Sequence, residues 1–400
     1  MSRPACEIAD VFRRYGVAFQ AKYGFRLQPL QQLVLKALAL CRTAQLGGHL
    51  HQCDHCGHHK PAYNSCQNRH CPKCQANLRG QWFEERQQDL LPVEYFHVVF
   101  TLPDELGSLA LQNKTVIYNI LFRATSETLL EAAASWKDLK AKIGFFAILH
   151  TWGSQLNFHP HFHCVVPGGG ISLDGTRWVS CPRGFFMPVK LLGRLFRGKF
   201  LAYLKQAHLA GELSCKGNLQ SISSHAAFKS WLSPLYQKDW IVFAKPPWNG
   251  PEHALKYLAR YTHRVAISNQ RLQSIDNGQV SFSYKDYRHQ QRQRTLTLAA
   301  TEFIRRFMMH VLPHGFVRIR YFGFLANTHR KVQLGKIREL LGAPQPASTE
   351  EELDNEQQDM AAALQAQRCP RCKVGLLWPS EISARPRLSE IINFPLLVPT

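Results

Sequence analysis

The sequence predicts an α+β fold, and three observations carry that reading. Apolar runs of strand length stand at 95–103, 144–150 and 157–166, while apolar residues at helical spacing fill 7–46, 105–140 and 188–210. Two Cys-x-x-Cys knuckles near the N-terminus mark a small module built around a metal rather than an apolar core. The 400 residues allow roughly two to four domains, and an apolar content of 45% is ordinary for a globular chain.

Charge narrows the partner. Forty-nine Lys and Arg against 28 Asp and Glu give 49 − 28 = +21, which favours a polyanion, nucleic acid before an anionic membrane surface. No run of about eighteen apolar residues is present, and Met1-Ser2-Arg3-Pro4 does not begin a signal-peptide core, so a cytoplasmic protein with no membrane partner is expected. In a reducing compartment the 12 cysteines read as metal ligands and buried thiols rather than disulfides.

Taken in order, residues 1–46 form a helical segment in which Val11, Phe12, Tyr15 and Phe19 recur at helical spacing and Pro29 opens a second helix. A zinc-binding domain is expected over 47–90. Cys53-x-x-Cys56 and Cys71-x-x-Cys74 lie about fifteen residues apart, a zinc-ribbon spacing that predicts one structural Zn²⁺ on Cys53, Cys56, Cys71 and Cys74. Cys66 and His70 are possible substitutes. Arg69, Lys73 and Arg79 make this module basic and are candidate phosphate contacts.

Residues 91–340 read as the catalytic domain. Its centre is Asn157-Phe158-His159-Pro160-His161-Phe162-His163-Cys164-Val165-Val166, followed by Pro167 and three glycines. In an extended segment side chains alternate, so His161 and His163 point to one face while Phe162 and Cys164 pack into the other. Two imidazoles so placed can hold one divalent cation. His150, at the end of the preceding strand, is the expected third ligand if that strand pairs antiparallel, with Gln155 and His159 as rivals.

After Pro251 a helix is predicted through Arg264, where Tyr257 and Tyr261 share a face four residues apart. Alone, such a pair fits core packing; beside a histidine strand it fits a pair of nucleophiles. Lys256, Arg260 and Arg264 on the same helix are further candidate DNA contacts. Strands return between 264 and 298, then a helix over 301–312 and a strand over 316–324. Residues 341–400 read as an acidic linker and tail, in which Cys369-Pro370-Arg371-Cys372 is a lone knuckle, half of a zinc site.

The order and chemistry of three of these segments resemble the two-tyrosine HUH transposases of bacterial rolling-circle insertion sequences. They are Asn64-Ser-Cys-Gln-Asn-Arg-His-Cys-Pro-Lys-Cys74, His161-Phe162-His163, and Lys256-Tyr-Leu-Ala-Arg-Tyr-Thr-His-Arg-Val-Ala-Ile267. The resemblance spans roughly residues 15–340. It implies a zinc-binding domain followed by an HUH endonuclease domain, an antiparallel sheet flanked by helices, acting on single-stranded DNA at element ends in the bacterial nucleoid.

The chemistry follows from the parts. A cation on His161, His163 and His150 acts as a Lewis acid on a scissile phosphate. Tyrosine, with a pKa near 10, becomes a useful nucleophile when that field or a base helps remove its proton. Attack by Tyr257 or Tyr261 leaves a 5′-phosphotyrosine and a free 3′-hydroxyl, and two tyrosines permit two transfers. Three imidazoles suit zinc, but phosphate chemistry points to Mg²⁺ or Mn²⁺. The competing expectations are a rolling-circle replication initiator or relaxase, and a non-catalytic zinc-dependent DNA-binding protein.

Overall fold

The computed structural model describes residues 6–245, 265–286, 289, 292–345 and 368–396. In chain order its elements begin with helices α1 (Ile8–Tyr23) and α2 (Pro29–Leu40), strands β1 (Gly48–Cys53) and β2 (His59–Tyr63), and helix α3 (Pro72–Gln87). Strand β3 (Tyr95–Thr101) leads to α4 (Gly107–Gln112) and α5 (Lys114–Ser135). Strands β4 (Ala141–Lys142), β5 (Gly144–Trp152), β6 (Phe158–Pro167), β7 (Gly169–Ser172) and β8 (Trp178–Ser180) precede α6 (Val189–Leu209), α7 (His225–Gln237) and β9 (Val242–Lys245). The remainder is β10 (Leu272–Asp276), β11 (Gln279–Asp286), β12 (Arg292–Ala299), α8 (Ala300–Met309), β13 (Ile319–Gly323), α9 (Arg330–Leu341), β14 (Leu377–Ser383) and the short α10 (Leu388–Ile391). Among the described residues no helix is long and apolar enough to cross a membrane.

These elements form two compact units that do not follow sequence order: one takes 1–78, 267–311 and 345–400, the other 79–266 and 312–344. In the first, α1, α2 and α8 pack together, with Phe12 edge-on to Phe307 at 5.2 Å between ring centroids. The start of α2 is written locally: Pro29 occupies its first turn and the Gln28 N–H donates to Gln31 Oε1 at 3.0 Å. The sheet β14-β1-β2 carries the tail: Leu377 to Ser383, read from sequence as part of a linker and tail, pairs antiparallel along β1 from Cys53 to Gly48. A second three-stranded sheet, β10-β11-β12, completes this unit.

The second unit is built on a five-stranded sheet in the order β13-β5-β6-β3-β9, antiparallel at every junction. One face is a large apolar core in which Phe100, Phe145, Phe162 and Val166 meet Leu121 and Phe122 of α5 and Phe196 of α6. The rings of Phe122 and Phe162 stand 4.1 Å apart, centroid to centroid. The opposite face is covered at one end by Tyr95, Phe146, Ile148 and Val165 under Leu334 and Ile337 of α9. The histidines lie on this second face.

Two departures from the sequence reading have identifiable causes. The expected helix over 105–140 is broken at Asn113, because its buried amide leaves helical geometry to bond Leu109 O at 3.0 Å and Ser214 O at 2.9 Å. Its Oδ1 also accepts from Ser214 N at 2.7 Å. In β6 the pairing steps from His150↔His161 to Trp152↔Phe158, so His159 and Pro160 together oppose Thr151. This bulge explains how a proline is accommodated inside a central strand.

Candidate metal centres

The histidine group is assembled by sheet register. Directly opposed residues of an antiparallel pair project to the same face. Register places His150 of β5 opposite His161 of β6, and Ile148 opposite His163. His161 and His163 share a face by alternation, so the three imidazoles converge, each offering a nitrogen within 4.8 Å of the others. His150 and His163 are buried and His161 is half-buried.

The nitrogens are also sorted. His161 Nδ1 lies 2.7 Å from the His159 carbonyl, to which it donates, leaving Nε2 turned inward. There it stands 3.1 Å from His163 Nε2, a separation two ligands of one ion can adopt. His150 is held by Trp152, whose ring stacks on it at 4.6 Å and 21°. Of the rivals for the third position, His159 lies in the bulge with its ring 3.4 Å from Asp104 Oδ1, and Gln155 sits in the turn between β5 and β6.

A fourth histidine was missed. His97 of β3 reaches the same face, its Nε2 2.7 Å from His163 Nδ1 and its ring stacked on His163 at 4.9 Å and 10°. Burial first, then the charges of Lys245 and His161, push its pKa down to about 3. His97 is therefore neutral, and a His163 that gives Nε2 to a cation carries its proton on Nδ1, where His97 Nε2 stands in position to accept it. The only sequence signal was one polar residue inside the run Tyr-Phe-His-Val-Val-Phe.

The cysteines are grouped differently from the single expected ribbon. Cys41, Cys66, Cys71 and Cys74 form one cluster, and Cys53, Cys56, Cys369 and Cys372 another. The expected set is thus divided, because the β1–β2 hairpin carries the first knuckle away from the knuckle that opens α3. In the first cluster the Sγ–Sγ separations are 3.6 Å for Cys66–Cys74 and Cys41–Cys71, and 3.8 Å for Cys41–Cys74. Four thiolates around one tetrahedral zinc, at a Zn–S distance near 2.3 Å, stand about 3.8 Å apart. A disulfide would need about 2.0 Å. Cys66, weighed as a substitute, is in the cluster; Cys41, at the end of α2, had no paired knuckle to reveal it. His70 instead meets Asn68 Oδ1 at 3.0 Å through Nδ1.

Of the expected DNA contacts, Lys73 requires correction: its ammonium is ion-paired with Glu7 and largely covered, so packing employs it. Arg69 is half-buried in the same module. Arg79 lies on α3. Tyr257, Tyr261, Lys256, Arg260 and Arg264 lie outside the described residues.

One histidine group and two cysteine clusters are therefore arranged as metal-ligand sets, and the class of protein that carries them is given by its similarity to known chains. A family model described as "Putative transposase" matches residues 144–332, and one described as "Transposase zinc-binding domain" matches 11–102. The chain is 51% identical to "Putative transposase y4qJ" of Sinorhizobium fredii (strain NBRC 101917 / NGR234), across 96% of each chain. It is 31% identical to the transposase for insertion sequence element IS801 of Pseudomonas savastanoi pv. phaseolicola, over 80% of this chain and 75% of that one. TrwC, solved in complex with a 27-mer DNA comprising the recognition hairpin and the cleavage site, is 13% identical over 62% of this chain and 75% of that one, with a TM-score of 0.23, too distant to define the fold. The chain belongs to this family of insertion-sequence transposases with an N-terminal zinc-binding domain.

Proposed function

We propose that the protein is a single-strand DNA transposase of the two-tyrosine HUH type, cutting and rejoining element ends through phosphotyrosine intermediates. The observation that carries this reading is the convergence of His150, His161 and His163 on one face of the central sheet. His161 and His163 have their second ring nitrogens engaged, by the His159 carbonyl and by His97, so their Nε2 atoms are preset as ligands. A divalent cation held there, Mg²⁺ or Mn²⁺, supplies positive charge to a scissile phosphate and eases removal of a tyrosine proton.

The remaining chemistry belongs to the chain and the DNA. The Oη of Tyr257 or Tyr261 forms a bond to phosphorus as the bond from phosphorus to the 3′-oxygen breaks. The tyrosine proton is lost, and the departing oxygen gains one to become a 3′-hydroxyl. The reverse attack by a 3′-hydroxyl rejoins a strand and frees the tyrosine. No hydrolysis intervenes, so the phosphodiester energy is retained, and two tyrosines allow two strands to be held during exchange. In the same reading Cys41, Cys66, Cys71 and Cys74 hold a structural zinc within the zinc-binding domain.

The test is incubation with labelled single-stranded DNA from the element's ends, with and without Mn²⁺. A denaturation-resistant protein–DNA adduct that requires metal, and that His161→Ala and His163→Ala abolish without loss of DNA binding, is expected. Metal-independent adducts, or nicked DNA with no adduct at all, would overturn the proposal.

A further inference from the structure

The second cysteine cluster joins two parts of the chain that the family's zinc-binding match, ending at residue 102, does not bring together. The Sγ atoms of Cys53 and Cys372 are 3.7 Å apart, as are those of Cys56 and Cys369, although the paired residues are 319 and 313 positions apart in sequence. These are tetrahedral thiolate separations, not disulfide ones.

The backbone repeats one turn on both sides. Gly57 N donates to Cys53 O at 3.1 Å, and Lys373 N donates to Cys369 O at 2.9 Å. Gly57 and Lys373, each directly after the second cysteine of its knuckle, take left-handed φ values of 66° and 59°. Lys373 adopts this conformation without being glycine, so the turn is imposed by its setting. Each first cysteine also closes the turn through its own N–H, Cys53 to His58 O at 2.9 Å and Cys369 to Gly375 O at 2.8 Å.

The two knuckles are fitted to each other. Asp54 accepts from Leu376 N at 2.9 Å and, through its backbone N–H, donates to Leu376 O at 3.1 Å. Gly375 N approaches Cys372 Sγ at 3.4 Å, and a Cβ at Gly375 would meet Asp54 Oδ1 at 2.4 Å and Cys53 Sγ at 2.7 Å. The apolar material here is slight: Cys53, Cys369 and Leu377, with Cys372 packed against them. So small a core does not order two irregular turns by burial alone, whereas a tetrahedral ion does.

We infer that Cys53, Cys56, Cys369 and Cys372 form a second structural zinc site, separate from the Cys41 cluster, that clips the C-terminal segment onto β1. The site makes β14 a metal-dependent edge of the β14-β1-β2 sheet. It does not depend on the nuclease reading.

Zinc per chain, measured by mass spectrometry of the desalted full-length protein, tests this. Two zinc ions are expected. The pair Cys369→Ser with Cys372→Ser should leave one, as should Cys53→Ser with Cys56→Ser, and all four changes together should still leave one. One zinc in the unaltered protein, or two in the Cys369→Ser, Cys372→Ser protein, would overturn the inference. Thiol alkylation of the unaltered protein answers independently of how the variants fold. Cys53, Cys56, Cys369 and Cys372 should be protected with zinc bound and become reactive together as chelator is raised. Labelling of exposed Cys56 at the rate of a free thiol in the zinc-loaded protein would contradict the site.

Discussion

His97 Nε2 lies 2.7 Å from Nδ1 of His163, and the two rings stack at 10°. The pairing links β3 to the histidine pair of β6 and fixes which nitrogen of His163 faces His161.

His97→Phe keeps an aromatic ring of similar size but removes the acceptor. The expected result is Mn²⁺ affinity weakened about 10–100-fold, the usual effect of losing a partner to a metal-bound imidazole. Calorimetric titration with Mn²⁺ reads this directly. Lowered thermal stability with unchanged Mn²⁺ affinity would assign His97 to packing alone.

Cys41→Ser should remove one zinc per chain, although Cys41 belongs to no Cys-x-x-Cys pair. The change leaves three buried thiolates, Cys66, Cys71 and Cys74, short of a ligand. Unchanged zinc content in this protein would remove Cys41 from the ligand set.

Asn113→Ala deletes three hydrogen bonds and leaves Ser214 N and O without their partner side chain. A loss of about 1–3 kcal/mol is expected, read from the shift in denaturant or thermal midpoint. A shift near zero would mean the helix break does not depend on this amide.

Glu302, in the first turn of α8, accepts from Arg305 and Arg306, and these bonds, Arg305 first, hold its carboxyl down to about 2. A depressed folded value contributes stability that is present above the unfolded value, about 4.3, and is lost as pH falls toward 2. The pair is partly solvated, so the amount is less than about 1 kcal/mol. Glu302→Gln should therefore lower the melting temperature at pH 7 and lower it much less near pH 2. An equal loss at both values would point to packing instead of charge.

Much of the centre could be read from the chain because strand periodicity is local. His161 and His163 follow from alternation, and His150 from the proximity of two strands joined by a short turn. His97 could not be read that way, since its place beside His163 is set by β3–β6 register across 66 residues. Long-range closure also hid the cysteine grouping. A knuckle shows its own two ligands, but neither the lone Cys41 nor the pairing of Cys53-x-x-Cys56 with Cys369-x-x-Cys372 leaves a mark on local spacing. The break at Asn113 likewise depends on Ser214, a tertiary partner. The segment expected to carry Tyr257 and Tyr261 lies outside the described residues.

Transfer of a 5′-phosphate to the tyrosine pair is the central claim, and peptide mapping of the covalent adduct tests it most directly. After nuclease trimming of the attached DNA, the mapped peptide should carry its nucleotide on Tyr257 or Tyr261, and the double change to Phe should remove the adduct while DNA binding persists. Phosphotyrosine on Tyr284, Tyr287 or Tyr321, or an adduct that survives the double change, would contradict it.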